Sequence, residues 1–297
     1  MAERDLKINV YKWLETNKDQ FLPPVCNKLM HNEQLSVMFV GGPNSRRDYH
    51  IEVDEELFLM VKGDMCVKIV EEGNRHRDIV IREGEMWRLP ARIPHSPQRN
   101  ADTVGLVIER RRTLAEIDGL RYYKYDENST EILYQKWMNV QDLGKDLIPV
   151  IKGFLGSEEC KTGVPDPNLD CSSPYEIDET TIPVGPFNFK KFVSENIETA
   201  EKDPENGMEI FPDGNLNVRL FGSGDTVNRD SEDVPGEGFK GEQWIWQRES
   251  SSVLEFQDEV VELKKGDSFL VVVGRKVKSW KRSAGTVGIV ISLPGFE

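Results

Sequence analysis

The stretch YHIEVDEELFLMVKG, residues 49–63, combines one histidine, four carboxylates and a short apolar run that ends at a glycine. Within it, His50, Glu52 and Glu56 form the pattern His-x-Glu-x-x-x-Glu, and six residues separate Glu56 from Gly63. Side chains two positions apart on a strand point to the same face, so these three side chains can share one interior. Taken alone, the stretch is also typical of an acidic loop that faces solvent.

A second ordered stretch, GEMWRLPARIPHSPQR, follows at residues 84–99. Five residues separate Gly84 from Pro90, four separate Pro90 from His95, and three separate His95 from Arg99. Glycine and proline favour turns at defined positions. A neighbouring hairpin can therefore bring His95 to the interior that the first stretch faces.

Together the two stretches resemble the two motifs of the cupin barrel, with three departures. Glu52 stands where many cupins have a second histidine, Arg92 replaces the usual glycine, and Arg99 replaces the usual asparagine. Short β-branched runs between about residues 37 and 112 fit such a barrel. We therefore predict an all-β fold with a few helices, built on a cupin (jelly-roll) barrel. Helices are expected only near residues 6–14, 146–155 and 188–202.

The chain carries an internal repeat that indicates a duplicated barrel, a bicupin. Residues 83–109 line up with residues 265–292, and Gly84 falls opposite Gly266. The second copy lacks the histidines: Val277 stands opposite His95 in this alignment. Other predicted equivalences are Glu56 with Gln243, Arg99 with Lys281 and Glu109 with Ser292. We predict a catalytic cupin domain over residues 1–163, a linker over 164–182 and a degenerate cupin domain over 183–297.

Two imidazoles and one carboxylate on one side of a metal ion leave the opposite coordination positions open. This ligand set is typical of the facial triad of non-haem Fe(II) oxygenases. We therefore predict that His50, His95 and Glu56 bind Fe²⁺, with Glu52 as the alternative carboxylate.

Arginine suits planar carboxylates because it can donate two parallel hydrogen bonds. Arg46 lies four residues before His50 and Arg99 four residues after His95, so both are expected near the metal. Glu109 lies inside the strand-like stretch GLVIERR and could accept a proton or a hydrogen bond from a substrate. Solvent exposure is expected for the other charged side chains around the motifs: Asp54, Glu55, Arg47, Arg92 and Arg110 to Arg112.

Composition excludes several functions. The 297 residues are enough for two domains, and the net charge of −14 argues against binding to a phosphate backbone. No apolar run is long enough to span a membrane, and the first residues do not resemble a secretory signal. We expect a cytosolic protein without nucleic-acid or membrane partners, with its four scattered cysteines as free thiols.

Longer strings resemble one family, the eukaryotic 3-hydroxyanthranilate 3,4-dioxygenases. They are PPVCNKLMH, GGPNSRRDYHIE, LPARIPHSPQR, TVGLVIERRR and DGLRYY, and the resemblance is strong over residues 21–163. It implies an extradiol-type, ring-opening enzyme that converts 3-hydroxyanthranilate and O₂ to 2-amino-3-carboxymuconate semialdehyde. That reaction belongs to tryptophan breakdown toward quinolinate and NAD. The resemblance also implies a monomer with one Fe²⁺ per chain.

The resemblance further implies a role for each candidate residue. His50, Glu56 and His95 would hold the iron, Arg99 would bind the substrate carboxylate, and Glu109 would contact its hydroxyl or amino side. Arg46 would lie near O₂ as a catalytic residue. Glu56 and Asn27 would also take part in substrate binding. A non-catalytic, metal-binding regulatory bicupin is the alternative; it would need neither Arg99 nor Glu109.

Overall fold

The computed structural model describes residues 6–44, 46–124, 129–227 and 241–293. The chain divides into two compact units. The first barrel is Asn17–Asn188, and the second barrel is Met1–Thr16 together with Phe189–Glu297. No helix in the described ranges is long and apolar enough to cross a membrane. All four cysteines are free thiols, as predicted.

In the first half of the chain the elements are β1 (Lys7–Asn9), α1 (Val10–Asn17), a 3₁₀ turn (Lys18–Gln20), β2 (Asn27–Asn32), β3 (Leu35–Gly41), β4 (Tyr49–Ile51), β5 (Glu56–Lys62), β6 (Met65–Glu71), β7 (Arg75–Ile81), β8 (Glu85–Leu89), β9 (His95–Arg99), β10 (Val104–Arg110), β11 (Asp118–Tyr123) and β12 (Ile132–Met138). They continue with α2 (Leu143–Gly156), α3 (Glu158–Thr162), β13 (Phe187–Asn188), α4 (Phe189–Lys202), β14 (Met208–Glu209), β15 (Asn217–Phe221), β16 (Gly224–Val227), β17 (Gln243–Glu249), β18 (Ser251–Glu255), β19 (Val260–Lys264), β20 (Asp267–Val271), β21 (Ser279–Arg282) and β22 (Val287–Ser292).

The first barrel consists of two antiparallel sheets with strand orders β13-β8-β5-β10-β3-β2 and β12-β11-β4-β9-β6-β7. Inward apolar side chains form its core, in which the Phe58 and Trp87 rings stack at 5.7 Å. The indole Nε1 of Trp87 donates to the Val184 carbonyl at 2.7 Å. Alternate side chains of each strand point into the barrel. Next to the apolar core, the same strands therefore point polar side chains into the barrel interior.

The second barrel repeats this arrangement, with strand orders β1-β20-β17-β22-β15-β14 and β16-β21-β18-β19. Gly84 and Gly266 both have positive φ, 78° and 88°. Their backbone N–H groups donate to the equivalent carbonyls of Met60 and Gln247, at 2.9 and 2.8 Å. Because equivalent turns and equivalent registers recur, the predicted duplicated cupin fold is confirmed.

In each barrel one six-stranded sheet has a short edge strand that leads directly into a helix. These strands are β1, which pairs with β20 and precedes α1, and β13, which pairs with β8 and precedes α4. Asn9 of β1 pairs with Asp267, and Asn188 of β13 pairs with Glu85. The repeat therefore extends to these segments, which sequence analysis missed. The N-terminal helix begins at Val10 rather than near residue 6, because residues 7–9 form the edge strand.

The division of the chain differs from the predicted boundaries at residues 163 and 182. Residues 7–9 pair with β20 and so belong to the second barrel. The predicted linker packs on the first barrel, where the Tyr175 hydroxyl donates to the Ile51 carbonyl at 3.1 Å. The amide Nε2 of Gln135 also donates to the Ser172 carbonyl at 2.9 Å.

Truncation of Trp87 tests the core of the first barrel. Trp87→Ala should lower the free energy of unfolding by about 3–5 kcal/mol, since it leaves a cavity beside Phe58. Val80→Ala on β7 is the control, and its loss should stay within about 0.5 kcal/mol because Val80 is 44% exposed. Urea denaturation measures both; equal losses would contradict the assignment of Trp87 to the core.

Candidate metal centre

Two histidines face each other inside the first barrel. His50 lies on β4 and His95 begins β9, and the two residues are paired in the sheet register. Their ring centroids are 5.2 Å apart, and both side chains are buried. The two sequence motifs, 45 positions apart by residue number, thus meet across one strand pair.

Hydrogen bonds orient both imidazole rings. Nε2 of His50 lies 2.7 Å from Oδ2 of Asp118, and Nδ1 of His95 lies 3.0 Å from the Ile93 carbonyl oxygen. If each of these nitrogens donates, the lone pairs reside on Nδ1 of His50 and Nε2 of His95. Burial lowers the pKa of His50, which favours the neutral ring that a metal requires.

The two lone-pair nitrogens converge on the Glu56 carboxylate. Oε1 of Glu56 is 4.0 Å from Nδ1 of His50, and Oε2 is 3.5 Å from Nε2 of His95. Burial opposes ionisation of Glu56, but the adjacent histidines bring its pKa well below the usual value. Ligand atoms of His50, Glu52, Glu56 and His95 all lie within 4.8 Å of one another. The donor set, two imidazoles with one ionised carboxylate, fits a divalent transition metal.

Glu52 differs from Glu56 in its environment. Burial raises its pKa well above the usual value, and the neighbouring Glu56 and Glu109 act in the same direction. One oxygen of Glu52 is held by Arg112. Glu52 is therefore less suited than Glu56 to serve as an anionic ligand.

Arg112 is the main residue that sequence analysis misjudged. It was expected to face water, yet it is 6% exposed and contacts the carboxylates of Glu52, Glu109 and Asp118. Although burial opposes ionisation, Arg112 and His50 hold the pKa of Asp118 below its usual value. Arg112 thus stabilises the carboxylate that orients His50.

Two predicted solvent-facing acids are also buried. Asp54 is paired with Arg110, and Oε1 of Glu55 lies 3.8 Å from Nε of Arg88. The prediction of exposure was wrong because it did not allow for arginines on adjacent strands.

Arg92 has φ of 63°, the left-handed conformation that the glycine usual at this motif position adopts without strain.

A cavity of about 30 Å³ adjoins the histidines. It is lined by all the predicted site residues except Glu109, namely Asn27, Arg46, His50, Glu56, His95 and Arg99, together with apolar side chains. Asn27 reaches it from β2, with its amide 3.7 Å from Sδ of Met38.

The two arginines of this cavity have different charge environments. Nε of Arg46 is 3.0 Å from Oδ2 of Asp48, which neutralises it. Arg99 has no carboxylate partner among the described residues. Burial, together with the Arg46 charge, lowers the pKa of Arg99 to about 10. Arg99 is therefore a buried cation that an anionic ligand would stabilise.

Arg99 also has a structural role, which its equivalent in the second barrel shares. Its Nε donates to the Gly41 carbonyl at 2.8 Å, and Nε of Arg282 donates to the Gly222 carbonyl at 2.8 Å. Arg99 also pairs with Met65 of β6 as Arg282 pairs with Ser252 of β18. The equivalent of Arg99 is thus Arg282, and the predicted match with Lys281 was wrong by one residue. The extra residue of the second copy lies before β21.

Glu109 lies beside the metal group on β10, in register with Glu56 of β5. Its Oε1 contacts Arg112, whereas its Oε2 is buried without a hydrogen-bond partner among the described residues. Burial raises the pKa of Glu109 to about 7. An orphaned carboxylate oxygen with this pKa can accept a hydrogen bond or exchange a proton near neutral pH.

Comparison with known proteins bears on this site. The sequence profile of the family described as 3-hydroxyanthranilic acid dioxygenase matches residues 2–155. The 3-hydroxyanthranilate 3,4-dioxygenase of Xenopus tropicalis is 44% identical over 289 residues, covering 97% of this chain and 98% of that protein. The Danio rerio protein of the same name is 44% identical over 98% of this chain and 97% of its own. A solved oxalate decarboxylase aligns over 100% of this chain and 79% of that chain, with TM-score 0.45 and 12% identity.

Removal of the Arg112 charge should destabilise the fold in a pH-dependent way. Arg112→Gln leaves three buried carboxylates without their cation, at a cost of about 3–5 kcal/mol. Their folded-state pKa values then rise, so stability is lost as pH increases and the variant is closest to wild type in acid.

Urea unfolding of the metal-free protein at about pH 5 and about pH 8 measures this difference. Arg111→Gln is the control, since Nε of Arg111 donates to the neutral Gln141 amide at 3.1 Å. A loss for Arg112→Gln that is the same at both pH values would argue against the charge cluster.

Proposed function

Because the chain belongs to the 3-hydroxyanthranilic acid dioxygenase family, we propose that it opens the ring of 3-hydroxyanthranilate with O₂. The product would be 2-amino-3-carboxymuconate semialdehyde, the precursor of quinolinate. One observation carries the proposal: a two-histidine, one-carboxylate group and an arginine without a carboxylate partner adjoin the same buried cavity. Such a site suits a substrate with a carboxylate for the arginine and groups that can bind a metal, and the aromatic acid named for the family has both.

His50, Glu56 and His95 are the residues that would hold Fe²⁺, with Glu52 as the alternative carboxylate. Bound there, Fe²⁺ would supply the redox chemistry that permits O₂ to react with an aromatic ring, which zinc cannot supply. By accepting hydrogen bonds from the other ring nitrogens, Asp118 and the Ile93 carbonyl would keep the ligating nitrogens of the two rings unprotonated.

Arg99 would bind the substrate carboxylate. Two of its nitrogens donate to backbone carbonyls, Nε to Gly41 and Nη2 to Val25, so the guanidinium is fixed before substrate arrives. A fixed guanidinium lowers the entropy cost of orienting the ring relative to the metal ligands.

Glu109 would contact the hydroxyl or amino side of the substrate through its unpartnered Oε2. With Oε1 held by Arg112, the carboxylate has one free oxygen that can accept a proton from the phenol. Arg46, fixed by Asp48, would lie near O₂ as a catalytic residue, and Asn27 would contact the substrate from β2.

The cavity of about 30 Å³ is smaller than an aromatic ring requires. Substrate entry would therefore require lining side chains to move. Leu143, at the start of α2, and Asn27 are the candidates nearest the ends of their elements.

A non-catalytic, metal-binding regulatory bicupin is less well supported, because it gives no role to Arg99 or to the orphaned oxygen of Glu109. We also propose that the protein acts as a cytosolic monomer with one Fe²⁺ per chain.

Replacement of His95 tests the metal site. His95→Ala should lower iron content and O₂ uptake with 3-hydroxyanthranilate by at least about 100-fold, since a direct ligand is lost. His76→Ala, outside the metal group, should retain both. Elemental analysis and an oxygen electrode provide the two readouts. Wild-type turnover in His95→Ala would rule out the proposed metal centre.

Arg99 and Arg282 form a matched pair for the substrate-binding role. Both make equivalent backbone hydrogen bonds, so Arg99→Met and Arg282→Met should cost similar stability. Only Arg99→Met should raise KM for 3-hydroxyanthranilate, by about 10–100-fold, because it removes a charge-assisted contact. Steady-state kinetics and thermal unfolding separate the effects; an unchanged KM in Arg99→Met would rule out the carboxylate contact.

A further inference from the structure

The second barrel contains a cavity of about 370 Å³, larger than that of the first barrel and within the range of ligand pockets. It is lined by side chains of β15, β17, β21 and β22. Gln243 and Ser292 are paired in the register of β17 and β22, as Glu56 and Glu109 are paired in the first barrel. The cavity therefore occupies the place that corresponds to the metal centre.

The charged residues at this place differ between the two barrels. The positions of the two carboxylates are neutral, while Arg219 stands where the first barrel has Met38. The evidence for that equivalence is that Arg219 pairs with Val290 as Met38 pairs with Val107. The second barrel therefore lacks both carboxylates at this place and carries Arg219 instead.

Hydrogen bonds hold Arg219 in place. The nearby acids are Asp203, whose pKa is lowered by hydrogen bonds from Asn206 and also by the Arg219 charge, and Glu209, the partner of Arg219 in the register of β14 and β15. Nε donates to Oδ1 of Asn217 at 2.9 Å, and Nη1 donates to the Asn206 carbonyl at 2.9 Å. Within the described part of the chain no carboxylate lies within ion-pair distance of this guanidinium, and Nη2 has no hydrogen-bond acceptor. The exposed Glu205 also lines the cavity, and it would disfavour ligands with a high negative charge.

The walls are apolar and partly aromatic. Trp280 and Phe221 line the cavity with ring centroids 5.0 Å apart, and Ile245 and Val290 complete the surface. Among the described residues, the side chains of Gln243 and Ser292 have no hydrogen-bond partners, so they can bind polar substituents. The two rings are tilted by 56° to each other, and the Arg282 guanidinium lies over both, with Cζ 4.4 Å from the Trp280 centroid and 5.1 Å from the Phe221 centroid. Aromatic walls beside Arg219 favour a ring that carries a single carboxylate.

We propose that the second barrel binds a small aromatic monocarboxylate at this cavity, with the carboxylate on Arg219 and the ring against Trp280 and Phe221. The site is distinct from the metal centre and does not depend on the function proposed for it. A phosphate would be a poorer ligand, since Glu205 lines the cavity and would repel a doubly charged group.

Benzoate binding to the full-length protein tests the proposal by isothermal titration calorimetry, with benzamide as the uncharged analogue. Arg219→Met should weaken benzoate binding at the second barrel by at least about tenfold, and Arg219→Lys should restore part of it. Arg82→Met is the control, because Arg82 is exposed on the first barrel. Arg99→Met removes the competing carboxylate site of that barrel, so binding that persists in it reports the second barrel.

Three outcomes would overturn the proposal. The first is that Arg99→Met shows no saturable benzoate binding. The second is that the affinity for benzoate is the same in Arg99→Met and in the double variant that also carries Arg219→Met. The third is that benzamide binds as tightly as benzoate. Thermal unfolding of Arg219→Met should match wild type, which excludes global unfolding as the cause of a loss.

Discussion

The charge cluster around Arg112 is the constraint on which the first barrel depends. One buried guanidinium contacts the carboxyl groups of Glu52, Glu109 and Asp118, and its charge offsets part of the cost of burying them. Through Asp118 the cluster fixes the ring of His50, and through Glu109 it leaves one oxygen available. The proposed metal ligation and the proposed substrate contact therefore depend on the same cation, which adjoins the metal group through its partner carboxylates.

Comparison of the two barrels separates architecture from chemistry. Gly84 and Gly266 occupy equivalent turns, and Arg99 and Arg282 make equivalent hydrogen bonds to glycine carbonyls. These features serve the barrel itself, since they persist where the histidines do not. Arg99 carries both roles: it belongs to the scaffold in both copies, and in the first copy the same guanidinium adjoins the metal group.

Much of the site was predictable because His50, Glu56 and His95 stand at fixed distances from glycine and proline, and strand alternation then defines their common face. The Arg112 cluster was not predictable. Its members come from two strands and two connecting segments, and an arginine within a run of charged residues is normally solvated. The edge strands were missed for another reason: two or three residues are too few to show a periodic pattern.

Strand β1 lies at the start of the chain but belongs to the second barrel. Residues 7–9 precede the metal-binding barrel, yet they cover the edge of β20 in the other one. An uncovered edge strand is a template for pairing with other chains. A chain begun at residue 10 would therefore keep every candidate ligand while exposing that edge, so the segment that covers the edge and the candidate metal ligands belong to different barrels.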